Sequence, residues 1–414
     1  MHWVRSTSIL ALAACAEASS ATSTPSPATP PPGCDVVVPP GPDDPNARSV
    51  DGIVFSENGL PVPGARVSVG GQVAVTGPSG AFGFRDVGVP YDLIVRDGPV
   101  VNAFVGLARQ HVVVHTTLLR SPREWSAHVV TAFPPAPAVL FLAEGTEITS
   151  IEPEPGGVIV RWTGGYSRDV VLYAVAYDAD PATRLPSRYI GQASFRDQLL
   201  PDALTTWQSA FSPVDTAAMA LTPRVPLGYA QTSFDFTLDL GGPAQAALGP
   251  FAGSPPAILL PVLPFAGVHV HAVAAQGDAT SRFATPAVLV TTPAVDMPFA
   301  VAPSLLSPAD LSVGSRARAT DEFSWTAPPG GANQLFLEPE AAGDPTLVVT
   351  TSATTARVDG AALGAAFPRG AVYRWKVRHR ADTPGGVDQL SCPGFDERAT
   401  RTATSARRTW VAPP

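Results

Sequence analysis

The chain has 414 residues, 46 of them proline, and a formal net charge of −8 at pH 7. This length predicts two to four domains. The proline share, about twice the usual value, excludes long helices, because an interior proline removes a hydrogen bond and clashes with the preceding turn. The longest run of basic residues is the pair Arg407-Arg408. This argues against a positively charged surface that binds the phosphates of a nucleic acid, and so against nucleic acid as a partner.

Residues 1–14 have the layout of an export signal. A cationic start, Met1 to Arg5, precedes a short apolar run that ends at Leu12-Ala13-Ala14-Cys15. This layout resembles the signal peptide of bacterial lipoproteins. The resemblance implies cleavage before Cys15 and attachment of acyl chains such as palmitate to its thiol and new amino group. The alternative is an ordinary secretory signal with an unrelated cysteine.

Residues 15–48 are rich in Ser, Thr and Pro and include the run Thr29-Pro30-Pro31-Pro32. This composition cannot bury a core and favours extended polyproline-II segments. We therefore expect a disordered, lipid-anchored linker that holds the following domains away from a membrane. Ala16 directly follows the lipidation position and favours the outer membrane, so we expect a secreted protein of the cell envelope. Which face of that membrane it occupies stays open.

Three cysteines occur: Cys15, Cys34 and Cys392. If Cys15 carries lipid, Cys34 and Cys392 remain as an even pair in an oxidising compartment, where disulfides persist. A disulfide between them would fold the linker back onto the C-terminal domain. Two free or intermolecular thiols are the alternative, and the sequence leaves both open because geometry cannot be checked from spacing.

Residues 49–120 alternate short apolar and polar runs with turn signals between them. The predicted strands are Val50–Phe55, Ala65–Val69, Val73–Thr76, Ala81–Arg85 and Tyr91–Arg96. Short strands at this spacing predict a β-sandwich.

The residues of this region resemble the carboxypeptidase regulatory-like domain, a small prealbumin-like sandwich. The matching positions are Gly52, Gly59, Pro61, Pro63, Gly64, Ala65, Val67, Thr76, Gly80, Phe82, Phe84, Tyr91, Leu93 and Val95. The resemblance implies a fold and an accessory role, not an activity, and the His-Glu-x-x-His zinc motif is absent. We expect tight turns at Gly59 and Gly80, with Phe82 and Phe84 facing the core.

Residues 121–300 resemble no family. Predicted strands such as Val158–Trp162 and Phe234–Leu240 indicate a second, larger β-sandwich with long loops. A split near Pro255-Pro256 into two units is the alternative. Ser194 to Asp197 predict the start of a short helix that runs to about Leu200.

Residues 301–414 resemble a fibronectin type III or similar immunoglobulin-like module. The resemblance implies that Trp325 and Tyr373 pack opposite each other in its core. Alternation along Val372–Val377 predicts two distinct faces. We expect a long loop from Arg380 to Arg398, containing Cys392, and a final strand over about Thr400–Val411. Loops in such positions often bind partners.

Few residues suggest chemistry. His269 and His271 share one face of a predicted strand, as do His111 and His115, so either pair could reach one metal ion. No third ligand has a suitable spacing, and Asp178 and Asp180 lack the rest of a calcium loop. We therefore expect no metal, no cofactor and no catalytic residues.

Aromatic pairs offer a stacking platform for sugars, although alternation places half of these rings in the core. The pairs are Trp162 with Tyr166, Tyr173 with Tyr177, and Trp375 with Trp410.

These features predict an all-β chain of tandem sandwich domains after the linker, with bounds at 49–120, 121–300 and 301–414. The predicted function is non-catalytic: a cell-envelope lipoprotein with a structural, adhesive or scaffold role. Its partners would be the membrane, through the lipid anchor, and envelope or surface proteins, contacted by loops that include Arg380–Arg398. Binding of carbohydrate or cell wall is the alternative, and a metalloenzyme within 121–300 is a third hypothesis.

Overall fold

The protein is an all-β chain of β-sandwiches, as predicted. The computed structural model describes residues 47–57, 59–117, 124–145, 147–240, 246–253, 257–263, 267–309, 312–313, 321–358, 367–368, 370–392 and 401–412. These residues form 31 strands and one short helix. Among them, no helix has the length and apolar character needed to cross a membrane.

The first sandwich pairs the sheet β4-β1-β7 with the sheet β3-β2-β5-β6. Its strands are β1 (Ala47–Phe55), β2 (Arg66–Val69), β3 (Gln72–Val75), β4 (Ala81–Gly88), β5 (Tyr91–Asp97), β6 (Val100–Leu107) and β7 (His111–His115). The expectation that Phe82 and Phe84 face the core is confirmed, because both are buried in one cluster. Gly80 has a φ of +77°, and a Cβ there would stand 2.5 Å from the Val54 carbonyl oxygen, so glycine is required at this turn.

The second sandwich pairs the sheet β10-β11-β8-β14 with the sheet β13-β12-β9. Its strands are β8 (Trp125–Ala132), β9 (Ala138–Glu144), β10 (Ile148–Glu154), β11 (Gly157–Trp162), β12 (Arg168–Ala179), β13 (Pro186–Leu199) and β14 (Leu204–Gln208). The predicted helix from Ser194 is wrong. Residues 194–199 belong to β13, which pairs with β12 over twelve residue pairs, and this ladder outweighs a local helix-start signal.

The third sandwich pairs the sheet β18-β15-β22 with strands β17-β16-β19-β20 of a longer sheet. Its strands are β15 (Thr216–Arg224), β16 (Ala230–Asp239), β17 (Ala246–Ala252), β18 (Ala257–Pro261), β19 (Gly267–Gln276), β20 (Ala279–Ala284), β21 (Val288–Leu289) and β22 (Ala294–Pro298). The region 121–300 thus contains two pairs of sheets, which separate between β14 and β15. The domain bounds themselves stay predictions.

The fourth sandwich pairs the sheet β23-β25-β28 with strands β30-β29-β26-β27 of the same longer sheet. Its elements are β23 (Ser304–Ser307), β24 (Ser312–Val313), β25 (Asp321–Thr326), β26 (Ala332–Pro339), β27 (Thr346–Thr351), β28 (Thr355–Val358), β29 (Val372–Arg380), α1 (Gly386–Leu390), β30 (Thr402–Thr404) and β31 (Arg408–Val411). Trp325 and Tyr373 lie buried in one cluster, as predicted. The expected single final strand is instead two strands, β30 and β31.

One long sheet runs through the first, third and fourth sandwiches. Strand β6 pairs in parallel with β27 over six residue pairs, and β20 pairs with β30 over three. The strand order of the path is β17-β16-β19-β20-β30-β29-β26-β27-β6-β5-β2-β3. The first and fourth sandwiches are therefore neighbours in space although residues 116–303 separate them in the chain.

Strand β6 supplies side chains to two cores. Phe104 and Leu107 belong to the core of the first sandwich, whereas Val101 and Ala103 belong to that of the fourth. Successive side chains of a strand point to opposite faces, and a register shift against β5 between Phe104 and Leu107 returns Leu107 to the face of Phe104. Both faces of β6 are thus covered where the two sandwiches meet, which explains why most of this strand is buried.

Candidate functional site

The predicted cysteine sites are only partly within the structure. Cys15 and Cys34 lie outside the described residues, so lipidation of Cys15 stays a prediction. Cys392 is disulfide-bonded and buried at 2 % exposure. The pairing of Cys34 with Cys392 stays a prediction as well.

The segment after β29 contacts the first sandwich rather than forming a free binding loop. Val387 of α1 packs into the core cluster of the first sandwich. Asp388 Oδ1 accepts a hydrogen bond from the Ala108 amide at 2.8 Å, and the Asp388 carbonyl accepts one from buried Arg109. The segment is therefore partly occupied by intramolecular contacts up to residue 392, and binding of partners by Arg380–Arg398 stays a prediction; residues 393–398 lie outside the described part.

The four candidate metal-binding histidines lie on two sandwiches, one pair on the third and the other pair on the first. His269 and His271 of β19 stand on one face with parallel rings, and each pairs with an aspartate of β16: His269 with Asp239 at 3.2 Å and His271 with Asp235 at 2.9 Å. His111 and His115 belong to β7 of the first sandwich. Across the described ranges, no group of three or more His, Cys, Asp or Glu side chains is arranged to hold a metal ion.

The two carboxylates of the candidate calcium loop bind nearby side chains and amides of the protein. Asp178 pairs with Arg188 at 2.6 Å. Asp180 Oδ1 accepts hydrogen bonds from the amide and hydroxyl of Thr183, and these bonds lower the pKa of Asp180.

Most of the candidate stacking rings are buried. Trp162, Trp375 and Trp410 are at most 2 % exposed, so they cannot stack on a sugar. Tyr173 is half-buried and donates a hydrogen bond to Glu144 at 2.6 Å; desolvation and this bond raise its pKa to about 12. Tyr166 alone of the six is largely exposed, against Trp125.

A groove on the outer face of the long sheet was not predicted. It lies where β20 of the third sandwich meets β30 and β29 of the fourth, and its volume is about 750 Å³. Six cationic side chains line it: Arg282, Arg374, Lys376, Arg378, Arg407 and Arg408. We call it the cationic groove.

Strand β29 contributes a row of three of these cations. Arg374, Lys376 and Arg378 occupy alternate positions, so they share the face opposite buried Tyr373, Trp375 and Val377. At a rise of ~3.3 Å per residue, neighbouring members stand about 7 Å apart. Arg282 of β20 lines the same groove from two strands away, because it pairs with Thr402 of β30, which in turn pairs with Arg380 of β29.

Acidic neighbours neutralise only part of this charge. Arg374 pairs with Glu340 at 3.0 Å and Lys376 with Glu338 at 2.6 Å, while Arg407 is 3.9 Å from Glu338. The exposed Arg282 side chain makes no ion pair or side-chain hydrogen bond within the described part of the chain. The lining thus contains six cationic side chains and two acidic ones, Asp278 and Glu340, in a chain whose net charge is −8.

Two of the groove cations lie over an aromatic ring next to the groove. Arg378 Cζ lies 4.9 Å and Lys376 Nζ 5.4 Å from the centroid of the buried Phe336 ring. Such cation–π contacts fix long side chains. Arg408 is directed differently, since it donates to the Leu306 and Pro308 carbonyls.

The sequence shows that three of the groove cations share one face of a strand, but it does not show that Arg282 lies near them. The alternation of Arg374, Lys376 and Arg378 is visible in the sequence, and the expectation of two faces on this strand is confirmed. Arg282 is almost one hundred residues away, so only strand pairing reveals that it joins them. The absence of a basic run therefore did not exclude a cationic surface.

Comparison with known proteins gives no family. No family model and no curated protein sequence matches the chain, so the carboxypeptidase regulatory-like and fibronectin type III assignments stay resemblances. Among solved structures, the Bacillus anthracis TIE protein is similar at 11 % identity and a TM-score of 0.15, covering 61 % of this chain and 50 % of that one. The chain thus matches about half the length of that protein.

Two further solved structures show the same level of similarity. The ICAM-5 D1–D4 ectodomain fragment has 16 % identity and a TM-score of 0.16, covering 70 % of this chain and 76 % of that one. BcpA, the major pilin subunit of Bacillus cereus, has 8 % identity and a TM-score of 0.13, covering 61 % and 98 %. Scores this low carry no argument about function.

Proposed function

We propose that the protein is a lipid-anchored protein of the cell envelope with a structural or adhesive, non-catalytic role. The long sheet is the observation that supports the structural part of this proposal. Backbone hydrogen bonds join β6 to β27 and β20 to β30, and such ladders restrain relative motion that domains joined only by linkers retain. The folded part would then present its surface in one fixed orientation.

The arrangement of titratable groups supports a non-catalytic role. His269 and His271 each pair with one aspartate along a strand, and they do not converge on a cavity with a nucleophile. An active site requires an acid, a base or a nucleophile in mutual reach. These two pairs have no further candidate metal ligand, because no group of three or more His, Cys, Asp or Glu side chains among the described residues is arranged to hold a metal ion.

Lipid anchoring rests on the layout of residues 1–15, and labelling tests it. Cells that produce the full chain are fed an alkyne analogue of palmitate, and the purified protein is examined for label. We expect label in the natural chain and in Cys34→Ser, and none in Cys15→Ser. Equal labelling of Cys15→Ser would refute anchoring at this residue.

The adhesive role is tested on whole cells. Cells that lack the chain are compared with cells in which it is restored, for attachment to one another and to a coated surface. We expect attachment to fall without the chain and to return with it. Attachment that does not depend on the chain contradicts an adhesive role whatever the labelling shows.

A second candidate function, binding of polysaccharide, is favoured by the cationic groove. The predicted aromatic platform does not support it, because most of those rings are buried. Recognition would have to rest on charge.

A further inference from the structure

The cationic groove differs from an ordinary charged surface in its regularity. Three cations stand about 7 Å apart along β29, and Arg282 of the third sandwich lines the same groove on the far side of β30. The groove therefore crosses the junction of two sandwiches. An occupant that uses the whole row must be extended and must carry negative charge at repeated intervals.

Two of the ion-paired cations in the groove remain accessible to solvent. The side chains of Arg374 and Arg407 are about half exposed. Exposed pairs contribute only ~0–1 kcal/mol to stability, so an incoming anion can replace Glu340 or Glu338 at little cost. Arginine guanidinium groups bind carboxylates and sulfates through two parallel hydrogen bonds.

The groove lacks the features that single-stranded nucleic acid requires. Bases stack on exposed aromatic rings, whereas the described lining of the groove contains no aromatic side chain, and the neighbouring Phe336 ring is buried beneath Lys376 and Arg378. Hydroxyl groups of Thr280 and Thr404 stand instead beside the cations. Hydroxyls with arginines suit a ligand that carries both hydroxyl and acidic groups.

We propose that the cationic groove binds a linear acidic polysaccharide, whose carboxylate or sulfate groups pair with Arg282, Arg374 and Arg378. This inference goes beyond the structural role and does not depend on the lipid anchor. The third and fourth sandwiches would hold the polymer jointly, since neither supplies the whole row.

The test measures the binding of defined polymers to the purified full chain in detergent. Polygalacturonate supplies carboxylates and dextran sulfate supplies sulfates; neutral dextran, poly-L-glutamate and a single-stranded oligonucleotide are the comparisons. We expect at least one acidic polysaccharide to bind at least about tenfold more tightly than all three comparisons. We also expect ~1 M salt, which shortens the Debye length to ~3 Å, to weaken this binding.

Variants then locate the site. Arg282→Gln and Arg378→Gln should each weaken binding by about tenfold, the value of one charge-assisted hydrogen bond. Arg188→Gln on β13, an exposed arginine outside the groove, is the matched control and should bind like the natural chain. Unchanged thermal unfolding of all three would show that they are folded.

Three results would overturn the proposal. Poly-L-glutamate that binds as tightly as the polysaccharides indicates an acidic peptide as the ligand, and an oligonucleotide that does so indicates nucleic acid. Equal affinities for the Arg282→Gln, Arg378→Gln and Arg188→Gln variants indicate binding elsewhere. None of these results affects the labelling or attachment experiments, so failure here is distinguishable from failure of the structural role.

Discussion

The joints between the sandwiches are of two kinds. The first and fourth sandwiches, and the third and fourth, are joined by hydrogen-bonded strand pairs within one sheet. The second and third are joined by side chains: Leu142, Val175 and Tyr189 of the second sandwich lie in the core cluster of the third. Tyr189 also donates a hydrogen bond to the Leu259 carbonyl at 3.0 Å, and burial raises its pKa.

The difference has a physical consequence. A strand ladder fixes orientation and register, because each backbone hydrogen bond has a defined direction. Apolar packing is non-directional and depends on the area buried. We therefore expect the second sandwich to retain more freedom than the first, third and fourth, and the predictions below test this comparison.

The largest effect is expected at the parallel joint. Val101→Asp places a carboxylate in the core of the fourth sandwich, where Val101 is 1 % exposed, and should reduce the free energy of unfolding by about 3–5 kcal/mol. Urea unfolding measures this loss, and hydrogen exchange should accelerate at the amides of β27. Val105→Asp is the matched control, because Val105 lies on the same face of β6 but is exposed. Equal losses for both variants would show that β6 does not join two cores.

The packed joint should respond by less. Leu142→Ala removes a fully buried side chain between the second and third sandwiches and should cost about 2–5 kcal/mol. Hydrogen exchange should rise in β9 and β18 while β27 and β30 stay protected. Leu204→Ala, at an exposed position of β14, is the control. Accelerated exchange at β30 in Leu142→Ala contradicts the independence of the two kinds of joint.

The disulfide of Cys392 should strengthen the parallel joint. Cys392 follows α1, and the Ser391 carbonyl accepts a hydrogen bond from the Val113 amide of the first sandwich at 2.8 Å. Peptide mapping without reduction should find Cys392 linked to Cys34. Cys34→Ser should then free the Cys392 thiol and lower stability by about 2–4 kcal/mol, the usual contribution of one disulfide. A Cys392 peptide linked to Cys15 in the natural chain would contradict both this pairing and lipidation of Cys15.

The smallest effect is expected from His379 of β29. Burial lowers its pKa, and its Nδ1 lies 3.0 Å from Asn333 Oδ1. Since the unfolded chain binds the proton more readily, stability should be constant above about pH 7 and should fall as the pH drops through ~6.5 toward the lower pKa of the folded state. The slope cannot exceed ~1.4 kcal/mol per pH unit for one proton.

His379→Gln should remove this part of the pH dependence. Urea unfolding at about pH 7.5 and about pH 5.5 measures it, with His111→Gln at an exposed position as the control. An identical pH dependence in the natural chain and in His379→Gln would show that His379 does not contribute.

The sequence predicted strand positions correctly where the signals came from residues that are neighbours in the chain. Alternation and turn residues located β1, β4 and β5 to within a few residues, and Phe82 with Phe84 faced the core as expected. These signals concern residues that are neighbours in the chain, so the pleat and the turn geometry decide them. The same kind of signal failed at Ser194, where the pairing of β13 with β12 overrode the local preference.

The sequence by itself determined that this chain forms short strands packed into sandwiches, because apolar alternation and proline leave few other solutions. Only the tertiary structure decided which strands share a sheet across hundreds of residues. Val101 reads as one more apolar strand residue, and nothing near it indicates that Leu347 is its neighbour. Arg282 likewise looks like a solvated surface residue in the sequence, until β30 brings strand β20 next to β29 and places Arg282 in the same groove as Arg378. Backbone hydrogen-bonding groups are the same in every residue, so the identity of a distant partner strand is set by how whole sandwiches fit together.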